Sequence, residues 1–288
     1  MQKRKIEKIT LTFIPIIFIF LSIIFIALIY YSNSIKLKND QLNLFEKPNP
    51  KYKYLGKTKK NERFKILKKS NNWLKIKSYN QNTKGWITSW NLKNDKKEKE
   101  NGKIADATIV LDPGHGGKDT GTLALQNTKK RKYFEKTYTL EIAKTVKKFL
   151  EKMGARVILT RDKDRSLYLA KRTHISKKNR ANIFISFHFN HYAIDNGASG
   201  VQTFYYHKKI GNSYKLAKII DKNFNNLPLK NRGTTFGNFY VIRETVQPSI
   251  LLEMGYMNNK RDLKIIREKK YQKKIATDIS QTLKKWFN

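Results

Sequence analysis

The sequence of 288 residues contains no cysteine and is poor in acidic residues, with 22 Asp and Glu against 61 Lys and Arg. The absence of cysteine excludes a disulfide framework, a thiolate nucleophile, an iron–sulfur cluster and every zinc site built on cysteine. Any metal site must therefore use His, Asp or Glu, and the chain has five His. Aromatic residues make up 12% of the chain, which is too many for a disordered protein.

The formal net charge of +39 favours polyanionic surroundings. A coding bias toward Lys is the plain alternative explanation for this excess. Arginine supplies 12 of the 61 basic residues, so bidentate reading of bases or phosphates is not favoured. We therefore predict no nucleic-acid partner, and we keep anionic wall polymers or lipid headgroups as candidate partners.

The N-terminal segment predicts the compartment. Residues 1–8 (MQKRKIEK) are basic, and no charged residue occurs from Ile9 through Ile35. We predict a cytoplasmic basic segment over 1–8 and a single-pass transmembrane helix over 9–31, which places the rest of the chain outside the cytoplasm. A cleaved signal peptide and a buried core helix are the alternatives. The helix also offers an interface to another membrane protein.

Residues 42–92 predict a small all-β unit. Short alternating runs such as Trp73-Leu74-Lys75-Ile76-Lys77 are separated by turn-rich pieces, which is typical of a small barrel. The LN opening, the WLKIK strand and the GWITSWNL close resemble a bacterial SH3-like domain. Trp73, Trp86 and Trp90 form either a ligand-facing surface or the core of this unit. The sequence does not identify its ligand. Residues 93–105 are charged and predict a solvated linker.

Residues 107–287 predict the main domain. Short apolar runs alternate with helical patterns, which is the signal of a three-layer α/β domain with a largely parallel sheet. In such sheets, functional residues gather beyond the carboxyl ends of the strands.

Three of the predicted strands run directly into a histidine or a carboxylate. ATIVL leads to Asp112 and His115, NIFISF leads to His188, and SILL leads to Glu253. Two His and a carboxylate with one open position are how hydrolytic zinc is held. Glu135, just ahead of a predicted helix, is the candidate for the carboxylate ligand, and Glu141 inside that helix is its rival.

Four sequence blocks carry a family resemblance. The runs IVLDPGHGGKDTG, YFEK, FISFHFN and PSILLEMGYMNN resemble the zinc-dependent N-acetylmuramoyl-L-alanine amidases in both order and spacing. With the apolar segment and the SH3-like unit in front, the whole chain is similar to a staphylococcal-type membrane-anchored cell-wall amidase.

The resemblance implies a set of roles. His115, Glu135 and His188 are implied as zinc ligands, and Glu253 as the catalytic carboxylate. The implied reaction is hydrolysis, by water activated on zinc, of the amide between N-acetylmuramic acid and L-alanine in peptidoglycan. We expect Asp112 to orient His115 or cap its loop. Arg243 resembles a family position near the cleft, and an ordinary ion pair is the alternative role for it.

Two other classes of function stay open at this point. Another zinc hydrolase, one that cleaves the peptides of the cell wall, would use the same kind of metal site. A non-catalytic wall-binding scaffold would use the same export signal, although the complete set of four site residues argues against it.

Overall fold

The computed structural model describes the chain in segments and gives the backbone alone for residues 2–14, 31 and 32. The described residues are 2–32, 34–36, 42–50, 52–59, 61–70, 73–79, 82–89, 104–105, 107–124, 133–208 and 212–287. The chain divides into two compact units, Met1–Pro48 with Tyr54–Ser89 and Asn49–Lys53 with Trp90–Asn288. The predicted linker at 93–105 lies outside the described residues except for 104 and 105.

The first unit begins with helix α1 (Gln2–Ser32), which covers the predicted membrane segment. Several of its described apolar side chains are more than half exposed, including Ile17, Phe18 and Phe25 at 55, 66 and 64%. Within the part of the chain whose side chains are described, we find no helix that is long and apolar enough to cross a membrane. The transmembrane helix predicted over 9–31 is therefore not confirmed.

The rest of the first unit is all β, as predicted. Its strands are β1 (Ser34–Lys36), β2 (Asn43–Phe45), β3 (Tyr54–Lys57), β4 (Arg63–Ser70), β5 (Trp73–Ser78) and β6 (Lys84–Thr88). They form one six-stranded sheet in the order β1-β4-β5-β6-β2-β3, and its strand pairs are antiparallel.

Alternation along these strands buries one set of apolar side chains. Leu44, Phe64 and Ile76 are almost completely buried. Trp86 is also buried, at 7% exposed, so it belongs to the core and not to a ligand-facing surface. Trp73 is partly buried with its ring 5.8 Å from that of Phe45, and Trp90 lies outside the described residues.

The second unit alternates strands and helices. Its strands are β7 (Thr108–Pro113), β8 (Arg156–Leu159), β9 (Ile183–Asn190), β10 (Val201–Tyr205), β11 (Asn231–Phe236) and β12 (Ser249–Tyr256). Its helices are α2 (Glu135–Lys152), α3 (Leu169–Lys178), α4 (Ser213–Phe224), α5 (Tyr240–Arg243), α6 (Lys260–Ile266) and α7 (Lys269–Phe287).

The six strands form one mixed sheet in the order β11-β10-β12-β9-β7-β8. The neighbours β7–β8, β7–β9, β9–β12 and β10–β11 are parallel, but β10 and β12 are antiparallel. The sheet is thus mixed: four of its five strand pairs are parallel, in line with the largely parallel sheet of the prediction, and the pair β10–β12 is the exception. Residues 191–200, between β9 and β10, contain no helix that would carry the chain back to the starting edge, so β10 runs in the opposite direction.

Two apolar layers cover the two faces of this sheet. Along β9, Ile183 and Ile185 pack into the core shared with α2, α4 and α7, whereas Phe184 packs into a second core with Val241 and Ile242 of α5. Because successive side chains of a strand point to opposite faces, this division shows helix, sheet and helix layers.

Candidate metal centre and cleft

Three side chains from distant parts of the sequence meet at one edge of the mixed sheet. His115 follows β7, His188 lies near the end of β9, and Glu135 opens α2. One ligand atom from each lies within 4.8 Å of the others. The strand-end argument therefore placed the two histidines correctly, and Glu135 rather than Glu141 completes the group.

Glu135 is buried and contacts both histidines of this group. Its Oε1 accepts the backbone N–H of Phe189 at 2.9 Å and lies 3.1 Å from Nε2 of His115 and 3.0 Å from Nδ1 of His188. Its Oε2 accepts the N–H of Thr122 at 2.8 Å. Burial raises the pKa of Glu135, but hydrogen bonds and charge from both histidines outweigh it, and the net pKa lies well below the ordinary value.

His115 is fixed by its backbone and by a second carboxylate. Its φ of 60° places it in the left-handed region. Both carboxylate oxygens of Asp119 lie 2.9 Å from its Nδ1. Burial lowers the pKa of His115, but Glu135 and then Asp119 outweigh it, so the net pKa is raised.

Two glycines leave room for the ligand rings. A Cβ on Gly114 would lie 2.4 Å from Nε2 of His188, and a Cβ on Gly121 would lie 2.5 Å from Oε2 of Glu135 and 2.7 Å from the His115 ring. Such approaches are too close for a real side chain, so a residue without Cβ is required at both positions.

Two buried arginines hold the loop that carries His115. Arg161 donates to the carbonyl of Gly114 at 2.7 Å and to that of Pro113 at 3.0 Å. Arg172 donates to the carbonyls of Pro113 and His115, both at 2.8 Å. Neither arginine was predicted from the sequence; the available signal was that Arg161 lies two residues after the end of β8.

Asp112 lies at the base of the same loop and is completely buried. Its carboxylate accepts from Arg172 at 2.8 Å, from the Thr160 hydroxyl at 2.5 Å and from the Ser186 hydroxyl at 2.8 Å. Of the two roles expected for Asp112, its contacts favour support of the loop, because Asp119 is the acidic residue at the His115 ring. Asp112 acts on the loop through Arg172.

Glu253 lies beside the three-residue cluster, because β12 and β9 pair with Glu253 opposite His188. Its Oε2 is shielded from solvent and has no hydrogen-bond partner among the described residues. Burial raises the pKa of Glu253 well above the ordinary value, and the charge of Glu135 adds to the rise. A carboxyl group with a raised pKa that lines a cleft is a candidate for proton transfer.

All four groups line or adjoin one open cleft of about 1030 Å³. Its floor includes His115, His188 and Glu253, and its rim includes Tyr168 and Phe239, which are 88 and 38% exposed. Arg243 was expected near this cleft but is not among its lining residues. Its guanidinium pairs instead with Glu244 at 2.8 Å and lies over the Tyr240 ring.

The donor set of the cluster suits a metal ion. Two imidazole nitrogens and one carboxylate oxygen face a common point, with a further carboxyl group, that of Glu253, beside them. Three protein ligands of this kind are the arrangement of hydrolytic metal sites that keep one position open. His115, Glu135 and His188 therefore form a site able to hold one divalent ion.

Comparison with protein families matches both units. The profile of the N-acetylmuramoyl-L-alanine amidase family matches residues 109–285, and the profile of the bacterial SH3 domain matches residues 40–93. The first match covers the mixed sheet with all its helices, and the second covers most of the antiparallel sheet.

Individual proteins are similar over the same regions. The probable cell wall amidase LytH of Staphylococcus aureus is 35% identical over 248 residues, which cover 84% of this chain and 80% of LytH. The catalytic domain of CwlV, an N-acetylmuramoyl-L-alanine amidase from Bacillus (Paenibacillus) polymyxa var. colistinus, superposes with a TM-score of 0.58 at 32% identity, covering 62% of this chain and 97% of CwlV. The N-acetylmuramoyl-L-alanine amidase AmiC2 of Nostoc punctiforme superposes with a TM-score of 0.58 at 34% identity, covering 62% of this chain and 96% of AmiC2.

Proposed function

The chain belongs to the N-acetylmuramoyl-L-alanine amidase family, and from that premise we propose how its cleft performs the reaction. It is a peptidoglycan hydrolase that cleaves the amide between N-acetylmuramic acid and L-alanine. The proposal concerns the metal, the roles of four residues and the location of the enzyme.

The metal of this proposal is zinc, which Nε2 of His115, Oε1 of Glu135 and Nδ1 of His188 would hold. These are the atoms that face one another across 3.0 to 3.1 Å. Bound zinc supplies a positive charge that polarises the amide carbonyl and makes water acidic enough to attack at neutral pH. The absence of cysteine limits the ligand set to these N and O donors.

Glu253 moves the proton in this proposal. Its shielded and unpartnered Oε2 accepts a proton from the attacking water and returns it to the leaving amine of L-alanine. Burial raises the pKa of Glu253, which favours the protonated form that the second half of this cycle needs. General acid–base help of this kind is worth roughly 10²–10⁴-fold in rate.

The remaining groups keep the ligands in place. Glu135 is fixed by the N–H groups of Phe189 and Thr122, and His115 by Asp119. Arg161 and Arg172 donate hydrogen bonds to carbonyls of the His115 loop, so the loop conformation is fixed before substrate binds. Such preorganisation avoids moving charged groups during the reaction.

The observation that carries the proposal is the convergence of His115, Glu135 and His188 beside Glu253. It is tested by mass spectrometry of peptidoglycan digested with the full chain, with zinc and after chelation. We expect intact stem peptides with a free L-alanine amine only when zinc is present. Shortened peptides that remain attached to the glycan would support a wall peptidase instead.

The location is a separate part of the proposal. We place the catalytic unit outside the cytoplasmic membrane, facing the wall, with residues 1–8 inside and residues 9–31 as the anchor. The uncharged stretch from Ile9 through Ile35 and the exposed apolar side chains of α1 support this. Fractionation of cells, followed by protease treatment of intact spheroplasts, tests it: the catalytic unit should be membrane-bound and digested from outside. Contacts with anionic wall polymers, lipid headgroups or a membrane protein stay predictions.

A further inference from the structure

Among the described residues, the cleft is lined by one lysine, Lys118, for which the described part of the chain supplies no acidic partner. Lys118 lines the cleft, its side chain is exposed, and no ion pair involves it within the described residues. Arg172, the other strongly basic residue of the lining, is neutralised by Asp112 at 2.8 Å. Lys118 is therefore the uncompensated cation of the described cleft.

The acidic residues near Lys118 are already engaged. The carboxylate of Asp164 binds Lys136 at 2.7 Å and the N–H of Gly117 at 2.7 Å. The carboxylate of Asp119 faces His115 at 2.9 Å. Because Asp119 and Asp164 already have these partners, the ammonium group of Lys118 is available for an anionic group of a ligand.

The backbone that carries Lys118 is held firmly. Its N–H donates to Oγ of Ser166 at 3.1 Å, and the Ser166 hydroxyl donates to the carbonyl of Gly116 at 3.1 Å. Lys118 follows His115 by three residues and lines the same cleft as His115 and His188, so its side chain is available on the wall of the cleft that contains the candidate metal centre. A cation placed in this way recognises a group a short distance from the scissile amide.

The substrate carries a suitable group at that distance. In a stem peptide, L-alanine is followed by D-glutamate linked through its side chain, which leaves an α-carboxylate that is either free or amidated. Two extended residues span at most roughly 7 Å, which places this group close to the amide. The cleft, at about 1030 Å³, has room for more than the reacting atoms.

We propose that Lys118 binds the α-carboxylate of the residue after L-alanine, so that the enzyme prefers stem peptides with a free carboxylate over stems amidated there. This inference rests on the proposed function. Lys118 is a specificity-determining residue in it and takes no part in proton transfer.

The test compares two synthetic substrates with the zinc-loaded full chain. MurNAc–L-Ala–D-Glu–L-Lys and its D-isoglutamine counterpart differ only in the group that Lys118 would meet. We expect kcat/KM to favour the free carboxylate by about three- to tenfold, mainly through KM. Lys118→Gln should remove this preference, Lys118→Arg should retain it, and Lys163→Gln, an exposed lysine outside the cleft, should leave it as in the natural protein.

Equal kcat/KM values for the two substrates, or a preference that survives in Lys118→Gln, would overturn the proposal. A titration calorimetry experiment separates it from the proposed function. The product peptide L-Ala–D-Glu–L-Lys should bind the natural protein more tightly than its amidated counterpart, and Lys118→Gln should bind both alike. If neither substrate is cut but this difference in binding is present, the proposed function fails and the role of Lys118 stands. If the binding difference is absent, the role of Lys118 fails.

Discussion

Asp119 contacts the His115 ring on the side away from Glu135. Both of its carboxylate oxygens lie 2.9 Å from Nδ1, while Nε2 lies 3.1 Å from Oε1 of Glu135. The carboxylate is itself aligned by the N–H of Gly121 at 3.0 Å. A carboxylate in this position fixes the tautomer and the orientation of a histidine ligand, so we expect His115 to present Nε2 to the proposed metal.

Replacing Asp119 should therefore weaken metal binding. We expect Asp119→Ala to raise the zinc dissociation constant roughly 10- to 100-fold, because the ring loses its orienting partner. Competition with a chromogenic chelator measures this directly. Asp162→Ala is the matched control, since Asp162 is exposed and pairs only loosely with Arg165 at 3.9 Å. Equal affinities for the two variants would contradict the role of Asp119.

Gly114 should not tolerate even one added carbon. Gly114→Ala would place a Cβ 2.4 Å from Nε2 of His188, so the ring must leave its position. We expect loss of zinc binding and of activity. Gly233→Ala is the control, because Gly233 has a φ of +85° but open space around it. It should cost about 1 kcal/mol in folding free energy and leave zinc affinity unchanged. Normal zinc affinity in Gly114→Ala would contradict the close approach.

The pair of Asp112 and Arg172 should be important for stability. Their side chains are only 1 and 4% exposed, and Asp112→Asn leaves the buried guanidinium without its counter-charge. We expect the unfolding free energy of the α/β unit to fall by about 3–5 kcal/mol. Glu141→Gln removes a more exposed pair with Lys269 and should cost less than about 1 kcal/mol. Denaturant titration followed by circular dichroism compares the two, and similar losses would contradict this account.

Glu253 should reduce the stability of the metal-free protein. Because its pKa is raised in the folded state, folding retains a proton that the unfolded chain releases. Stability should therefore fall as the pH rises from the ordinary carboxyl pKa toward the raised pKa of Glu253. Glu253→Gln removes this loss, so the variant should be more stable than the natural protein at neutral pH. Thermal unfolding of both after chelation, between pH 4 and pH 8, checks the prediction; identical pH profiles would refute it.

Much of the site was predictable because strand ends are visible in the sequence. His115, His188 and Glu253 each follow an apolar run, and the register of β9 and β12 brings the last two side by side. Glu135 was placed as a ligand by its position before a helix and by the family resemblance. The structure brings these residues together, and their chemical roles stay predictions.

The parts that the sequence did not predict depend on long-range packing. Arg161 and Arg172 lie in a segment rich in charged residues, which gives no sign that both guanidiniums are buried against one loop. The short step from His115 to Asp119 was visible, but the turn at Gly116 and Gly117 that brings them together was not. The direction of β10 was also hidden, because period-two alternation is the same for a parallel and an antiparallel strand.

The most direct measurement is made on purified Glu253→Gln. Zinc content and the rate of release of stem peptide from peptidoglycan are determined on the same sample. The account predicts one zinc ion per chain, as in the natural protein, and no measurable release. Release at the natural rate, or a chain unable to hold zinc with His115, Glu135 and His188 intact, would contradict it.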